Sequence, residues 1–160
     1  MKPSTALGLA ALLFACSPQP AAEATPAADV AIPARHPVSG LAVIPLTVTT
    51  SRGTHRFKVE VAVTPAEQQK GLMFRTSMAR DEGMIFPNSI AEQRSFWMKN
   101  TVIPLDIIYI GPDRRIVNIV RGEPYNETSL PSAGPVINVL ELAAGRSAEL
   151  SIEPGDRVEW

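Results

Sequence analysis

The sequence contains little of what several common classes of protein require. Its single cysteine excludes a disulfide framework within the chain, and its two histidines leave little material for a zinc or copper site of histidine and cysteine ligands. Fifteen lysines and arginines nearly balance sixteen aspartates and glutamates, whereas a nucleic-acid-binding domain needs a basic surface. We therefore expect no nucleic-acid partner, no metal and no cofactor.

The N-terminus has the pattern of an exported lipoprotein. A lysine at position 2 precedes an apolar run, residues 6–15, that is too short to span a bilayer and is typical of a signal peptide. Leu13-Phe14-Ala15-Cys16 resembles a bacterial lipobox, in which the signal is cleaved before a cysteine that is then lipidated. We predict a lipoprotein-type signal peptide at 1–15 and a lipidated Cys16 that anchors the protein in the bacterial cell envelope, facing the periplasm or the exterior. The alternative is an ordinary signal peptide with a cysteine near its cleavage site by chance.

Residues 16–40 are predicted to be a linker, because five prolines and seven alanines fall between Ser17 and Gly40 without apolar periodicity. His36 lies in this segment and is therefore set aside as a catalytic or metal residue. Residues 41–160 remain as a single folded domain, which is long enough to bury a sizeable core.

The pattern of this domain favours strands. Apolar and polar residues alternate over 55–63, which predicts a half-exposed strand. Thr64, Pro65 and Glu67 have the spacing of a capping box and Gly71 follows, so we expect one short helix. Further strands are predicted at 84–86, 95–98, 103–110, 115–120, 136–142, 149–152 and 157–160. The fold is therefore expected to be mainly β, an antiparallel sandwich or barrel. The sequence lacks the βαβ alternation that would indicate a parallel sheet.

Four segments together carry a resemblance to a known family. They are GLMFR at 71–75, GMIF at 83–86, SFWMKNTVIPLD at 95–106 and VLELAAG at 139–145. In these segments the chain resembles the uncharacterised bacterial and archaeal family called domain of unknown function 192, over about Val43 to the C-terminus. The resemblance implies a compact sandwich of jelly-roll type in a commonly exported protein. It implies no established activity, cofactor or partner.

Two acidic residues, Asp106 and Glu141, stand in otherwise apolar strands, where an unpaired carboxylate is costly. Arg75 and Lys99 are their expected counter-ions. One interpretation is that these groups form structural ion pairs. The other is that they converge, with Asn100 and Thr101, on a ligand pocket flanked by Trp97.

Three functions follow from these interpretations. The first is a binding module for a small polar or glycan ligand, which predicts a polar cleft beside an exposed Trp97. The second is a structural or interaction protein, which predicts a buried Trp97 and no cleft. The third is a hydrolase, which needs Asp106 and Glu141 in one open cleft. We favour the first and place an enzyme last, since there is no Gly-x-Ser-x-Gly motif and His55 is the only histidine of the domain.

Overall fold

The computed structural model describes residue 1 and residues 34–160, and its framework is a seven-stranded mixed sheet curled into a half-barrel. The strands are β1 (Val43–Thr50), β2 (Gly53–Val61), β3 (Glu82–Phe96), β4 (Leu105–Ile110), β5 (Ile116–Gly122), β6 (Leu130–Ala143) and β7 (Arg157–Glu159). Their order in the sheet is β5-β4-β6-β3-β2-β1-β7. The predicted mainly β fold is confirmed. Strand β1 was not among the predicted strands, and β3 is one continuous strand where two were predicted, at 84–86 and 95–98.

The two edge strands approach each other at one end. Arg115, just before β5, forms an isolated antiparallel bridge with Arg157 of β7. The amide of Ile116 donates to the carbonyl of Asp156 at 2.9 Å, and the amide of Val158 donates to the carbonyl of Arg114 at 2.9 Å. These bonds join the two edges of the curled sheet at one end, so one face of the sheet is turned inward and the other outward.

Each face carries its own apolar cluster. The inner core contains residues from both edge strands, Ile116 and Val158, together with side chains such as Val59, Ile108 and Leu140. The outer core lies on β3, β4 and β6 beneath the loops that cover them, and it consists of Ala62, Leu72, Met84, Phe86, Met98, Leu105, Ile107, Tyr109, Val136 and Val139. Because side chains alternate along a strand, each central strand contributes to both clusters.

Helix α1 (Pro65–Lys70) begins and ends as its sequence predicts. Thr64 accepts a hydrogen bond from the Glu67 amide, the Glu67 carboxylate accepts one from the Thr64 amide, and Gly71 is the C-cap with φ 46°. The two backbone amides that the Glu67 carboxylate binds lower its pKa. The helix connects β2 to β3, which pair in parallel, so the expectation of a purely antiparallel sheet is wrong at this one junction.

The strand predicted at 149–152 is also wrong, because helix α2 (Arg146–Leu150) covers its first two residues and no strand follows before β7. Gly145 precedes this helix in the left-handed region, with φ 84°. A carboxylate from β4 binds the backbone amides at its start, as described below. The alternation of apolar and polar residues at 149–152 indicates a strand, but the contact with β4 stabilises a helix at this place instead.

Residues 34–42, here called the N-terminal clasp, pack against the domain although 34–40 were assigned to the linker. Arg35 and Ala42 form an antiparallel bridge, and the amide of Val43 donates to the carbonyl of Ala34 at 2.7 Å. The predicted signal peptide, Cys16 and the rest of the linker lie outside the described residues. Neither helix within 34–160 has the length and apolar character that crossing a membrane would require.

Candidate functional site

A cleft of about 210 Å³ opens on the outer face of the sheet. One wall is α1 with the turn that follows it, and the other wall is the end of β3. Its lining residues are Gln68, Gln69, Lys70, Gly71, Leu72, Met73, Phe86, Arg94, Ser95, Phe96, Trp97, Thr101 and Glu141. The cleft thus combines amide, cationic, hydroxyl and aromatic groups around one buried acid.

Glu141 of β6 lies at the base of this cleft and is only 4% exposed. It is directly opposite Met84 on one neighbouring strand and Ile107 on the other, so apolar side chains flank its carboxyl. Within the described residues the carboxyl has no hydrogen-bond or ion-pair partner, and burial alone raises its pKa from 4.5 to about 8. At neutral pH it is mainly protonated, and it can both donate and accept a hydrogen bond.

Aromatic rings form the side of the cleft next to Glu141. Phe96 packs edge-on against Phe86 with ring centroids 5.0 Å apart, and against Tyr109 at 6.2 Å. Trp97 lies at the mouth and is 46% exposed. The Nζ of Lys99 is 5.1 Å from the centroid of the Trp97 ring, so Lys99 makes a cation–π contact and is not the counter-ion of a buried acid.

Polar side chains tie the two walls together. The Nη2 of Arg94 on β3 donates to the Oε1 of Gln68 on α1 at 3.3 Å. The Nε2 of Gln68 in turn donates to the carbonyls of Pro87 at 2.8 Å and Ala62 at 3.2 Å. Helix α1 is thereby held at a set distance from β3, which keeps the cleft preformed.

The loop after Trp97 positions the rest of the wall. The amide of Thr101 donates to the carbonyl of Met98 at 3.1 Å, and Asn100 takes a left-handed conformation with φ 53°. The Asn100 carbonyl accepts a hydrogen bond from the Phe74 amide at 2.9 Å. Its side-chain Nδ2 lies 4.0 Å from the sulfur of Met73. Thr101 lines the cleft directly, whereas Asn100 holds the 71–75 turn in place.

Asp106 lies on the inner face of the sheet, away from the cleft. Its carboxylate accepts hydrogen bonds from the amides of Gly145 at 3.0 Å and Ser147 at 2.8 Å. The register places Asp106 opposite Leu142, one residue along β6 from Glu141. Since consecutive residues of a strand point to opposite faces, the two acids cannot share one cleft, which contradicts the geometry that the hydrolase hypothesis required.

Arg75 also lies outside the cleft, and its partner is Glu60 of β2. The Nη2 of Arg75 is 2.8 Å from both carboxylate oxygens of Glu60. The Ser39 hydroxyl donates to the same carboxylate, and the Nδ1 of His36 is 3.6 Å from it. These four buried or half-buried groups fasten the N-terminal clasp to the sheet, so the expected pairing of Arg75 with Asp106 or Glu141 is wrong.

The structure therefore brings together three of the seven predicted ligand-binding candidates as lining residues: Trp97, Thr101 and Glu141. Lys99 and Asn100 adjoin them. The sequence reasoning missed the contributions of α1 and of Arg94, because exposed polar residues on a short helix and a strand carry no signal of what they face. It also missed His36 and Glu60. Within residues 34–160, no group of three or more histidine, cysteine, aspartate or glutamate residues could hold a metal ion.

Comparison with known proteins gives a family and a fold. The model of the DUF192 family, an uncharacterised ACR, matches residues 47–160. A protein of unknown function from Novosphingobium aromaticivorans DSM 12444 is 55% identical, with 86% of this chain and 99% of that chain covered and a TM-score of 0.79. A proposed transcription regulator from Sinorhizobium meliloti 1021 is 40% identical, with 74% and 94% covered and a TM-score of 0.72. No curated protein matches the chain.

Proposed function

The chain belongs to the uncharacterised DUF192 family, and we propose that it is a lipid-anchored protein of the bacterial cell envelope whose domain binds a small polar or glycan ligand in the cleft above Glu141. The family supplies no activity, so the proposal depends on the residues of this chain. The anchor depends on the sequence of residues 1–16, and the binding function depends on the cleft.

The Glu141 carboxyl is the observation that supports a ligand most directly. A polar group that is cut off from both water and protein partners destabilises a fold by about 1 to 3 kcal/mol, whereas a group that opens to a cleft can be satisfied there. Glu141 has no protein partner among the described residues, and its oxygens are not among the fully buried unpartnered atoms, which belong to His55, Asn138 and Ser147, so the carboxyl opens to the cleft. A ligand hydroxyl would satisfy both the donor and the acceptor of the protonated acid.

The groups around Glu141 suit a hydroxyl-rich ligand. Trp97 offers half-exposed aromatic surface, on which the apolar face of a sugar ring can pack. Gln68 on the α1 wall and Arg94 on the β3 wall add polar groups that are held in place by their mutual hydrogen bond. The lining of the cleft is more polar than apolar, which suits a ligand with many hydroxyls, and its polar groups converge beside one aromatic surface.

A structural or interaction protein without a ligand is the second candidate. The observation that favours it is the structural use of two predicted site residues. Asp106 caps the start of α2, and Arg75 fastens the N-terminal clasp. In this alternative Glu141 binds no ligand, and its burial only lowers the free energy of unfolding.

Titration of the purified protein with monosaccharides and oligosaccharides tests the binding function. We expect Trp97→Ala to weaken binding by tenfold or more, equivalent to about 1.4 kcal/mol. Trp160→Ala is the matched control, because Trp160 is 38% exposed and also carries a cation, Arg114, 4.9 Å from its ring. Binding that is absent, or that both variants weaken equally, would contradict the proposal in favour of the second candidate.

A further inference from the structure

We propose that the ligand is an oligosaccharide of at least two sugar units, which crosses Trp97 and occupies a second cleft on the far side of that residue. This inference rests on the proposed function and extends it from a single binding cleft to a row of two. It identifies Ser129 and Glu127 as binding residues of the second cleft.

The second cleft has a volume of about 220 Å³ and is lined by Ser95, Phe96, Trp97, Glu127 and Ser129. Three of these residues, Ser95, Phe96 and Trp97, also line the first cleft. The two clefts are therefore adjacent, share the end of β3, and have nearly equal volumes. A chain of similar units fits that arrangement better than one compact molecule does.

The second cleft shares with the first a set of hydroxyl-binding groups beside an aromatic wall. The hydroxyls of Ser95 and Ser129 lie 2.6 Å apart and together present donor and acceptor groups. Glu127 adds an exposed carboxylate, a strong acceptor for ligand hydroxyls. Both clefts thus set hydroxyl-binding groups beside aromatic surface, the combination that recognises a pyranose ring.

The backbone holds the two clefts at a defined separation. Ser95 and Phe96 pair with Pro131 and Leu130 in the β3–β6 ladder. Ser129 comes directly before β6, so its position follows from the same ladder. Ser95 and Phe96, which line both clefts, lie on paired strands, and this rigid common wall favours ligand units of a fixed spacing.

The length dependence of binding tests this inference. We would titrate glucose and N-acetylglucosamine, then the β-1,4-linked and α-1,4-linked glucose oligomers and the β-1,4-linked N-acetylglucosamine oligomers, each up to the tetramer. A second unit that binds its own cleft does so at high effective concentration, so we expect at least one series to gain about tenfold or more from monomer to oligomer. The gain should saturate once both clefts are filled.

Variants of the second cleft separate its contribution from that of the first. Ser129→Phe fills the second cleft, and we expect it to remove the gain with length while the monomer binds as before. Glu127→Ala, a change at an exposed residue that leaves the fold intact, should reduce the gain in the same direction. Thr128→Phe is the control, because Thr128 is exposed between them and does not line the cleft.

Two outcomes would overturn the inference. If monomer and oligomers bind equally, or if Ser129→Phe and Glu127→Ala weaken both alike, the second cleft is not a subsite, while Trp97-dependent binding of the monomer would still support the proposed function. If no series binds at all, the proposed function fails and the inference fails with it.

Discussion

Two glutamates on the outer face of the sheet differ in their charge state because their neighbours differ. Glu60, Met84 and Glu141 lie in one row across β2, β3 and β6. Glu60 is paired with a buried guanidinium and a serine hydroxyl, whereas Glu141 has only apolar residues opposite it. The same side chain is therefore an ion-pair partner in one strand and a mainly neutral acid two strands away.

The raised pKa of Glu141 predicts a specific dependence of stability on pH. Below pH 4.5 the folded and unfolded states both hold the proton, so the full stability is present. Between pH 4.5 and about 8 only the folded state keeps it, so the free energy of unfolding falls as the pH rises through this window. We expect Glu141→Gln to abolish this fall and to exceed the parent's stability by roughly 3 to 5 kcal/mol at pH 8. Urea unfolding at pH 4.5, 6 and 8 measures the free energy of unfolding of both proteins. If this free energy changes with pH in the same way for both, the prediction is wrong.

Asp106→Asn is the control for this effect, because Asp106 is also a buried acid of a central strand. Its carboxylate accepts two backbone hydrogen bonds, and an amide can accept only at its oxygen. We expect this variant to lose about 1 to 3 kcal/mol at pH 8, opposite in sign to Glu141→Gln. The same urea experiment compares the two variants.

At the scale of elements, the 71–75 turn forms the boundary between the cleft and the N-terminal clasp. Gly71 and Met73 line the cleft, and Phe74 is held by the Asn100 carbonyl. Arg75 then reaches Glu60 beneath the clasp. Gly71 has φ 46° and ψ −132°, a backbone conformation that residues with a Cβ rarely adopt, so the tight turn out of α1 depends on glycine.

Arg75→Ala tests the attachment of the clasp. It leaves the buried Glu60 carboxylate without its guanidinium, and we expect a loss of about 3 to 5 kcal/mol of unfolding free energy. Hydrogen exchange at the amides of His36 and Gly40, both bonded within the clasp, should become faster. The matched control is Arg80→Ala: the Arg80 side chain is 72% exposed, against 11% for Arg75, and it pairs with Glu149. An exposed pair contributes at most about 1 kcal/mol, so similar losses in both variants would refute a buried attachment.

At the scale of the whole molecule, the curled sheet separates stability from binding. The inner core joins all parts of the sheet and is closed at one end by the contact between β5 and β7. The outer core is covered by α1, by the loops at 71–75 and 97–104 and, through Leu41, by the N-terminal clasp, and the cleft lies between α1 and the end of β3. Changes at the cleft rim should therefore alter binding more than folding.

The proposed anchor is a prediction about the full chain in its cell. We expect Cys16→Ala to move the protein from the membrane fraction to a soluble fraction, because the acyl chains supply the membrane affinity. Ser17→Ala, which changes the next residue and keeps the thiol, should leave the protein with the membranes. Fractionation and immunoblotting measure both variants, and unchanged membrane association of Cys16→Ala would contradict lipidation at this residue.

Features that depend on neighbours along the chain could be predicted from the amino-acid sequence. The alternation over β2, the capping box of α1 and the family resemblance were all readable, because strand periodicity and helix caps involve residues a few positions apart. Trp97, Thr101 and Glu141, which the sequence analysis grouped as candidates because they stand in aromatic and apolar surroundings, line one cleft. Contacts between residues far apart in the chain could not be predicted in this way. The partner of Arg75, the opposite faces of Asp106 and Glu141, and the helix at 146–150 all depend on strand order and register, which arise from burial between residues far apart in the chain.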